Sequence, residues 1–119
     1  MATILVVDDE FGVAELLDAI LTDEGHRVIT AINGRRGLEA MAAEHPDLVF
    51  LDYMMPVMNG AGLLNAMAAD PALCDIPVVM MSSMPEAAVA ERCKGYVAFM
   101  RKPFKVTQVI TLTARLLGT

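Results

Sequence analysis

Ile4-Leu5-Val6-Val7-Asp8-Asp9-Glu10 is the stretch from which the fold can be read. Four apolar residues, three of them β-branched, run without interruption into three carboxylates. A short apolar run of this kind, bounded by polar residues, reads as a strand. The same arrangement recurs three times. Leu48-Val49-Phe50-Leu51 runs into Asp52, Val78-Val79-Met80-Met81 into Ser82-Ser83, and Tyr96-Val97-Ala98-Phe99-Met100 through Arg101 into Lys102-Pro103.

The segments between these runs have helical spacing. Val13, Leu16, Leu17, Ile20 and Leu21 line one face of a first helix, with Gly25 as its stop signal. Arg27 to Ile32 reads as a second strand, followed by a turn at Asn33-Gly34. Leu38, Met41 and Ala42 mark a helix that ends before His45-Pro46. After Asp52 comes a loop containing Met55-Pro56 and Asn59-Gly60. A helix on Leu63, Leu64 and Met67 then closes near Asp70-Pro71. Ile76 to Met81 is the fourth strand and Tyr96 to Met100 the fifth. The helix between them, Pro85 to Cys93, has mostly alanine for apolar residues, which predicts the weakest packing of the set. The last helix carries Val106, Val109, Ile110, Leu116 and Leu117 on one side. Strands alternating with helices signal an α/β fold with a parallel sheet. Five such units with right-handed crossovers fit the doubly wound, flavodoxin-like (βα)5 order 2-1-3-4-5.

Composition narrows the function classes. A chain of 119 residues is one domain, expected to span 1–119, and 55% hydrophobic content supports a core. No apolar run approaches the ~20 residues that span a bilayer, and the start Met1-Ala2-Thr3-Ile4 lacks the pattern of a secretory signal. Cys74 and Cys93 form no metal-ligand spacing and no disulfide framework. The expectation is a cytoplasmic protein with reduced thiols and no membrane contact. A net charge of −6 argues against a nucleic-acid partner.

Ligands of open α/β sheets bind outside the carboxyl ends of the strands. In the order 2-1-3-4-5, Asp8, Asp9 and Asp52 converge there with Ser82 and Lys102. Carboxylates at short range repel one another, and a hard dication such as Mg²⁺ relieves the repulsion through oxygen ligands. Asp52 is the candidate nucleophile for phosphorus, with Lys102 and Mg²⁺ neutralising charge and Ser82 donating to a phosphoryl oxygen. Taken singly, each residue has an ordinary reading. Asp8 or Asp9 can cap the first helix, Ser82 can be a loop hydroxyl, and Lys102 a solvated lysine.

Taken together, Val6-Val7-Asp8-Asp9-Glu10, Leu51-Asp52-Tyr53-Met54-Met55-Pro56-Val57-Met58-Asn59-Gly60, Met81-Ser82-Ser83 and Arg101-Lys102-Pro103-Phe104 resemble the receiver domain of two-component response regulators. The resemblance spans essentially the whole chain and implies a role for each position. Asp52 is then the phosphoacceptor. Asp9, Asp52 and the backbone carbonyl of Met54 are direct Mg²⁺ ligands, and Asp8 acts mainly through water. Lys102 pairs with the phosphoryl group, Ser82 moves to bond it, and Phe99 is the aromatic switch. Lys102-Pro103 is a cis peptide. The implied partners are a histidine kinase or histidine phosphotransfer protein, and a downstream protein on the face of helix 4, strand 5 and helix 5.

Departures from the family pattern bear on rate and surface. Met54 and Met84, two residues after Asp52 and Ser82, stand where polar residues often influence the attacking water, which predicts a long-lived phosphoryl group. Met58 and Met84 are expected to form an adaptable exposed surface. The segment from Ser82 to Lys102 is slightly short for the family, with Cys93-Lys94-Gly95 before the last strand, so helix 4 is expected to differ in length. His26 and His45 read as loop residues, not phosphodonors. A phosphohydrolase proceeding through an aspartyl-phosphate typically has a second aspartate where Met54 stands. A nucleotide- or flavin-binding module would need a Gly-rich phosphate loop, absent after the first strand. A phosphorylation-independent receiver-like binding module is the remaining alternative, against which the intact acidic and Lys102 positions argue. A stand-alone regulator and a receiver from a longer protein both fit the sequence.

Overall fold

Each apolar run of the sequence is a strand, and a helix follows it. The computed structural model describes residues 1–118. Among the described residues the order is β1 (Thr3–Val7), α1 (Phe11–Asp23), β2 (Arg27–Ala31), α2 (Gly34–Glu44), β3 (Leu48–Asp52), α3 (Gly60–Ala68), β4 (Val78–Ser82), α4 (Glu86–Ala90), β5 (Ala98–Arg101) and α5 (Val106–Leu117). The strands form one parallel sheet in the order β2-β1-β3-β4-β5, as the sequence predicts.

Side chains alternate across a strand, so the sheet divides the core in two. Leu5, Val7, Val49, Leu51, Val78 and Met80 point toward Met41, Leu63, Met67 and Val89 of α2, α3 and α4. Ile4, Val6, Leu48, Phe50, Val79 and Met81 point toward Leu17, Leu21 and Val109 of α1 and α5. Residues of β3 and β4 are buried throughout, whereas the edge strands β2 and β5 are partly exposed. Full burial of one such aliphatic side chain contributes about 1.5–3 kcal/mol. The central strands, whose ends carry Asp52 and Ser82, are therefore the most firmly held part of the sheet.

Local chemistry sets the element ends. α1 stops as expected at Gly25, which takes φ +90°. Its N–H donates to the Thr22 carbonyl and the His26 N–H to the Leu21 carbonyl, the paired bonds of a Schellman stop. Asn33-Gly34 is not the expected turn. The Asn33 side chain accepts from the Arg36 N–H at 2.9 Å, so it caps α2. Asn59 likewise caps α3 by accepting from Gly62 N–H. Asparagine before glycine serves both purposes, because its side-chain oxygen mimics a backbone carbonyl in turns and caps alike.

Other expectations shift as well. β4 begins at Val78, since Pro77 has no N–H for the ladder, although its carbonyl still accepts from Val49 N–H. β5 begins at Ala98, and Tyr96 lies outside it. Helix α4 shrinks to the five residues Glu86–Ala90, with Pro85 before its first residue and Val89 as its buried side chain. Val106 is exposed at the start of α5, while Val109 is fully buried. Met58 and Met84 are half-buried against the α2–α3 side of the core and do not form an exposed patch. Both cysteines are free, Cys74 exposed and Cys93 buried.

Met58 also fixes the loop after Asp52. A Cβ on Gly34 would lie 2.7 Å from the Met58 carbonyl oxygen and 2.8 Å from its Cβ. Alanine is the better helix former, yet Gly34→Ala forces that loop to shift. We expect a net loss of about 1–3 kcal/mol, an overpacking cost, read as a lowered urea midpoint. A raised midpoint would show that the loop is free to yield.

Candidate functional site

The register of the sheet assembles the site. Val7 pairs with Leu51, so Asp8 and Asp52 leave neighbouring strands at the same edge. Ser82 pairs with Arg101, and the Lys102 N–H donates to the Ser82 carbonyl at 2.9 Å. Lys102 therefore emerges one residue beyond the β4–β5 ladder. The Lys102-Pro103 peptide is cis, and the lysine chain crosses to the carboxylates. Its Nζ lies 2.9 Å from Asp8 Oδ2, 3.1 Å from Glu10 Oε1 and 3.4 Å from Asp52 Oδ1.

Asp8 and Asp52 are almost fully buried, at 1% and 3% exposure. Asp8 has a protein donor on each oxygen. Glu10 N–H donates to Oδ1 at 2.8 Å and Lys102 to Oδ2. Helix α1 has no side-chain cap at Glu10, its N-cap residue, so neither aspartate does the capping work that the sequence left open. Asp52 has only the longer contact to Lys102, which leaves lone pairs available. Asp9 is exposed and lines a cleft of about 570 Å³ together with Glu10, Asp52, Met54 and Lys102. The other wall of this cleft is apolar, from Val13, Leu16, Pro103 and Phe104.

Sequence reasoning did not single out Glu10. Its carboxylate joins those of Asp8 and Asp52 in a set of oxygens all within 4.8 Å of one another. The available signal was its place as third member of the acidic run. Hard, anionic oxygen donors clustered this closely suit a hard dication, so the residues present fit a metal ion.

The remaining expected site residues are near but not all in the cleft. Ser82 is buried, and its Oγ accepts from the Met84 N–H at 3.0 Å. Ser83, not Ser82, lines the cleft. Phe99 is half-buried, with its ring centroid 6.2 Å from that of Tyr96. Met54 is 59% exposed over the cleft, whereas Met84 packs on the core. His26 accepts from the Ala2 N–H and His45 ends α2, both away from the site.

Burial, then the charge of Asp8, pushes the Asp52 carboxyl up from 3.8 to about 7, against the opposing pull of Lys102. Burial alone would lower the Lys102 ammonium, but its bond to Asp8 and the charge of Asp52 outweigh this and raise it. Lys102 thus stays cationic at neutral pH. Folded Asp52 holds its proton more tightly than the unfolded chain does. The associated stability is full below pH 3.8 and is lost as pH rises through about 7. In the absence of divalent ions, Asp52→Asn should therefore be more stable than the parent at pH 8, by on the order of a few kcal/mol. The gain should shrink as pH falls toward 4. Urea titrations across that range test this, and a gain independent of pH would contradict it.

Comparisons with known proteins agree with this geometry. The response regulator receiver domain family matches residues 4–114. Sporulation initiation phosphotransferase F of Bacillus subtilis is 32% identical over 108 residues, covering 89% of this chain and 86% of that protein. The probable transcriptional regulator ycf27 of Cyanophora paradoxa is 38% identical over 92 residues, or 77% of this chain; the match spans 36% of that longer protein. The signal receiver domain of a signal transduction histidine kinase from Syntrophus aciditrophicus superposes with a TM-score of 0.90 at 32% identity, over 99% of this chain and 91% of that one. The chain belongs to the response regulator receiver domain family.

Proposed function

We propose that this receiver domain, spanning 1–119, takes a phosphoryl group on Asp52 from a histidine kinase or histidine phosphotransfer protein and converts it into a change of protein contacts. The observation that carries the reading is the position of Lys102. One ammonium reaches Asp8 and Asp52 at the mouth of an open acidic cleft. An Asp52 oxygen attacks phosphorus, and the bond from phosphorus to the donor imidazole nitrogen, or to an acyl oxygen, breaks with its electron pair leaving on the donor. Lys102 stays protonated and balances charge on the phosphoryl oxygens.

Asp9, Asp52 and the Met54 carbonyl would hold Mg²⁺, with Asp8 acting through water and Glu10 close by. When bound, Mg²⁺ supplies further charge neutralisation and favours ionised Asp52. Ser82 then leaves the Met84 N–H for a phosphoryl oxygen, and Phe99 turns inward behind it. The surface of α4, β5 and α5 is the face that a downstream protein would read. Function in the cytoplasm accords with the reduced cysteines and with the lack, among the described residues, of a helix long and apolar enough to cross a membrane.

Incubation with a small acyl phosphate should give a Mg²⁺-dependent phosphoryl adduct in intact-protein mass, absent in Asp52→Asn. Lys102→Ala should slow its formation on the order of 10²-fold. A folded, Mg²⁺-binding protein without adduct would point to a phosphorylation-independent binding module. Because Met54 overhangs the cleft and Met84 does not, Met54→Asn should speed phosphate release several-fold, by orienting water. Met84→Asn should change it little. Equal effects at both positions, measured by decay of the adduct, would refute that distinction.

A further inference from the structure

Outside the acidic cleft, one pair of side chains ties the short helix to the last strand. The Tyr96 hydroxyl donates to Glu86 Oε2 at 3.3 Å, and the Tyr96 ring leans on Phe99 at 6.2 Å between centroids and 49° between planes. Glu86 is the first residue of α4, and Tyr96 stands two residues before β5. We propose that Tyr96 is a positioning residue of the switch: its bond to Glu86 and its contact with Phe99 clasp α4 to the approach of β5 in the resting state, and this clasp opposes phosphorylation of Asp52. The inference rests on the receiver reading above and adds to it a restraint that sets the resting population.

The resting character of the clasped state follows from Ser82. Its Oγ is engaged by the Met84 N–H, and the cleft is lined by Ser83 in its place. For Ser82 to reach the site, the segment from Ser82 to Glu86 must shift at one end while Tyr96 holds the other. Between those ends the segment is held by the half-buried Met84 side chain and by Arg101 Nε–H, which donates to the Ser83 carbonyl at 3.3 Å. Helix α4 has five residues and one buried side chain, Val89. Tyr96 is outside the ladder, with the Val97 N–H bond to the Val78 carbonyl as the next backbone tie. Burial and the Glu86 charge both push the Tyr96 hydroxyl up, so it remains a donor at neutral pH. Uptake then proceeds from the unclasped population, so weakening the clasp enlarges that population and raises the rate of uptake in proportion.

An exposed bond of this length is worth a modest factor. Tyr96→Phe and Glu86→Ala should each raise the initial rate of phosphoryl uptake from an acyl phosphate with Mg²⁺ by about two- to fivefold. The double variant should gain no more than either single one. Glu86→Gln keeps an acceptor oxygen and should behave like the parent, which separates the bond from a simple loss of negative charge. The chain has two tyrosines. In protein labelled with 3-fluorotyrosine, the Tyr96 signal should therefore move on phosphorylation, and should already be displaced in that direction in unphosphorylated Glu86→Ala. Unchanged rates, additive gains, or a Glu86→Gln variant that matches Glu86→Ala would overturn the clasp while leaving the receiver reading intact. Absence of any adduct in the parent protein would overturn the receiver reading, and the clasp with it.

Discussion

One ammonium between two buried carboxylates is the constraint on which this structure turns. Asp8 and Asp52 leave neighbouring strands and are both shielded from water, and burial together with the Asp8 charge raises the proton affinity of Asp52. Lys102 crosses from the far side of the sheet and contacts both, with Glu10 as a third partner. A single positive charge does not balance this cluster, and Asp52 has the longest of the three contacts; burial first, and then the charge of Asp8, raises its carboxyl to about 7 against the pull of Lys102. The site is thus held short of one counter-charge. A hard dication or a protonated Asp52 relieves the deficit, and the two relieve it in competition.

The scaffold explains why this arrangement persists. β1, β3 and β4 are covered on both sides of the sheet, and the apolar surface they bury holds the strand ends in place. The cluster therefore does not have to stabilise the fold that carries it. At the other extreme, α4 contributes one buried side chain and depends on small contacts at its ends. A rigid centre beside a weakly restrained unit is the condition under which a local change of charge is answered by movement of one element. The half-buried Phe99 and the exposed Tyr96–Glu86 bond lie along the boundary between the two.

Much of this was legible in the residues themselves. The apolar runs predicted four of the five strands, because strand burial on two faces demands unbroken apolar composition; the edge strand β2, with Arg27 and Thr30 in it, was legible from its β-branched residues instead. Asp8, Asp52, Ser82 and Lys102 were legible as a group, because parallel strands bring their carboxyl ends to one edge. Element ends were read less well. Asn33-Gly34 has the composition of a turn, yet caps a helix, and only the position of the following chain decides between the two. The role of Glu10 is not legible in the sequence, because it depends on where the Lys102 chain terminates. Composition does not distinguish the methionines. Met58 and Met84 are held by packing against the core, while Met54, with the same chemistry, is left over the cleft.

The sequence by itself determined the order of elements, the parallel sheet and the chemical inventory at its carboxyl edge, since these follow from periodicity and from residue type at each strand end. Tertiary structure alone decided the rest. It set which carboxylate Lys102 holds most closely, tied Ser82 to the Met84 N–H and away from the cleft, and made a five-residue helix from a nine-residue pattern. The physical reason is range. Periodicity and capping act within a few residues along the chain, whereas the Lys102–Asp8 bond joins residues 94 positions apart. Its length depends on the twist, register and packing of every strand between them.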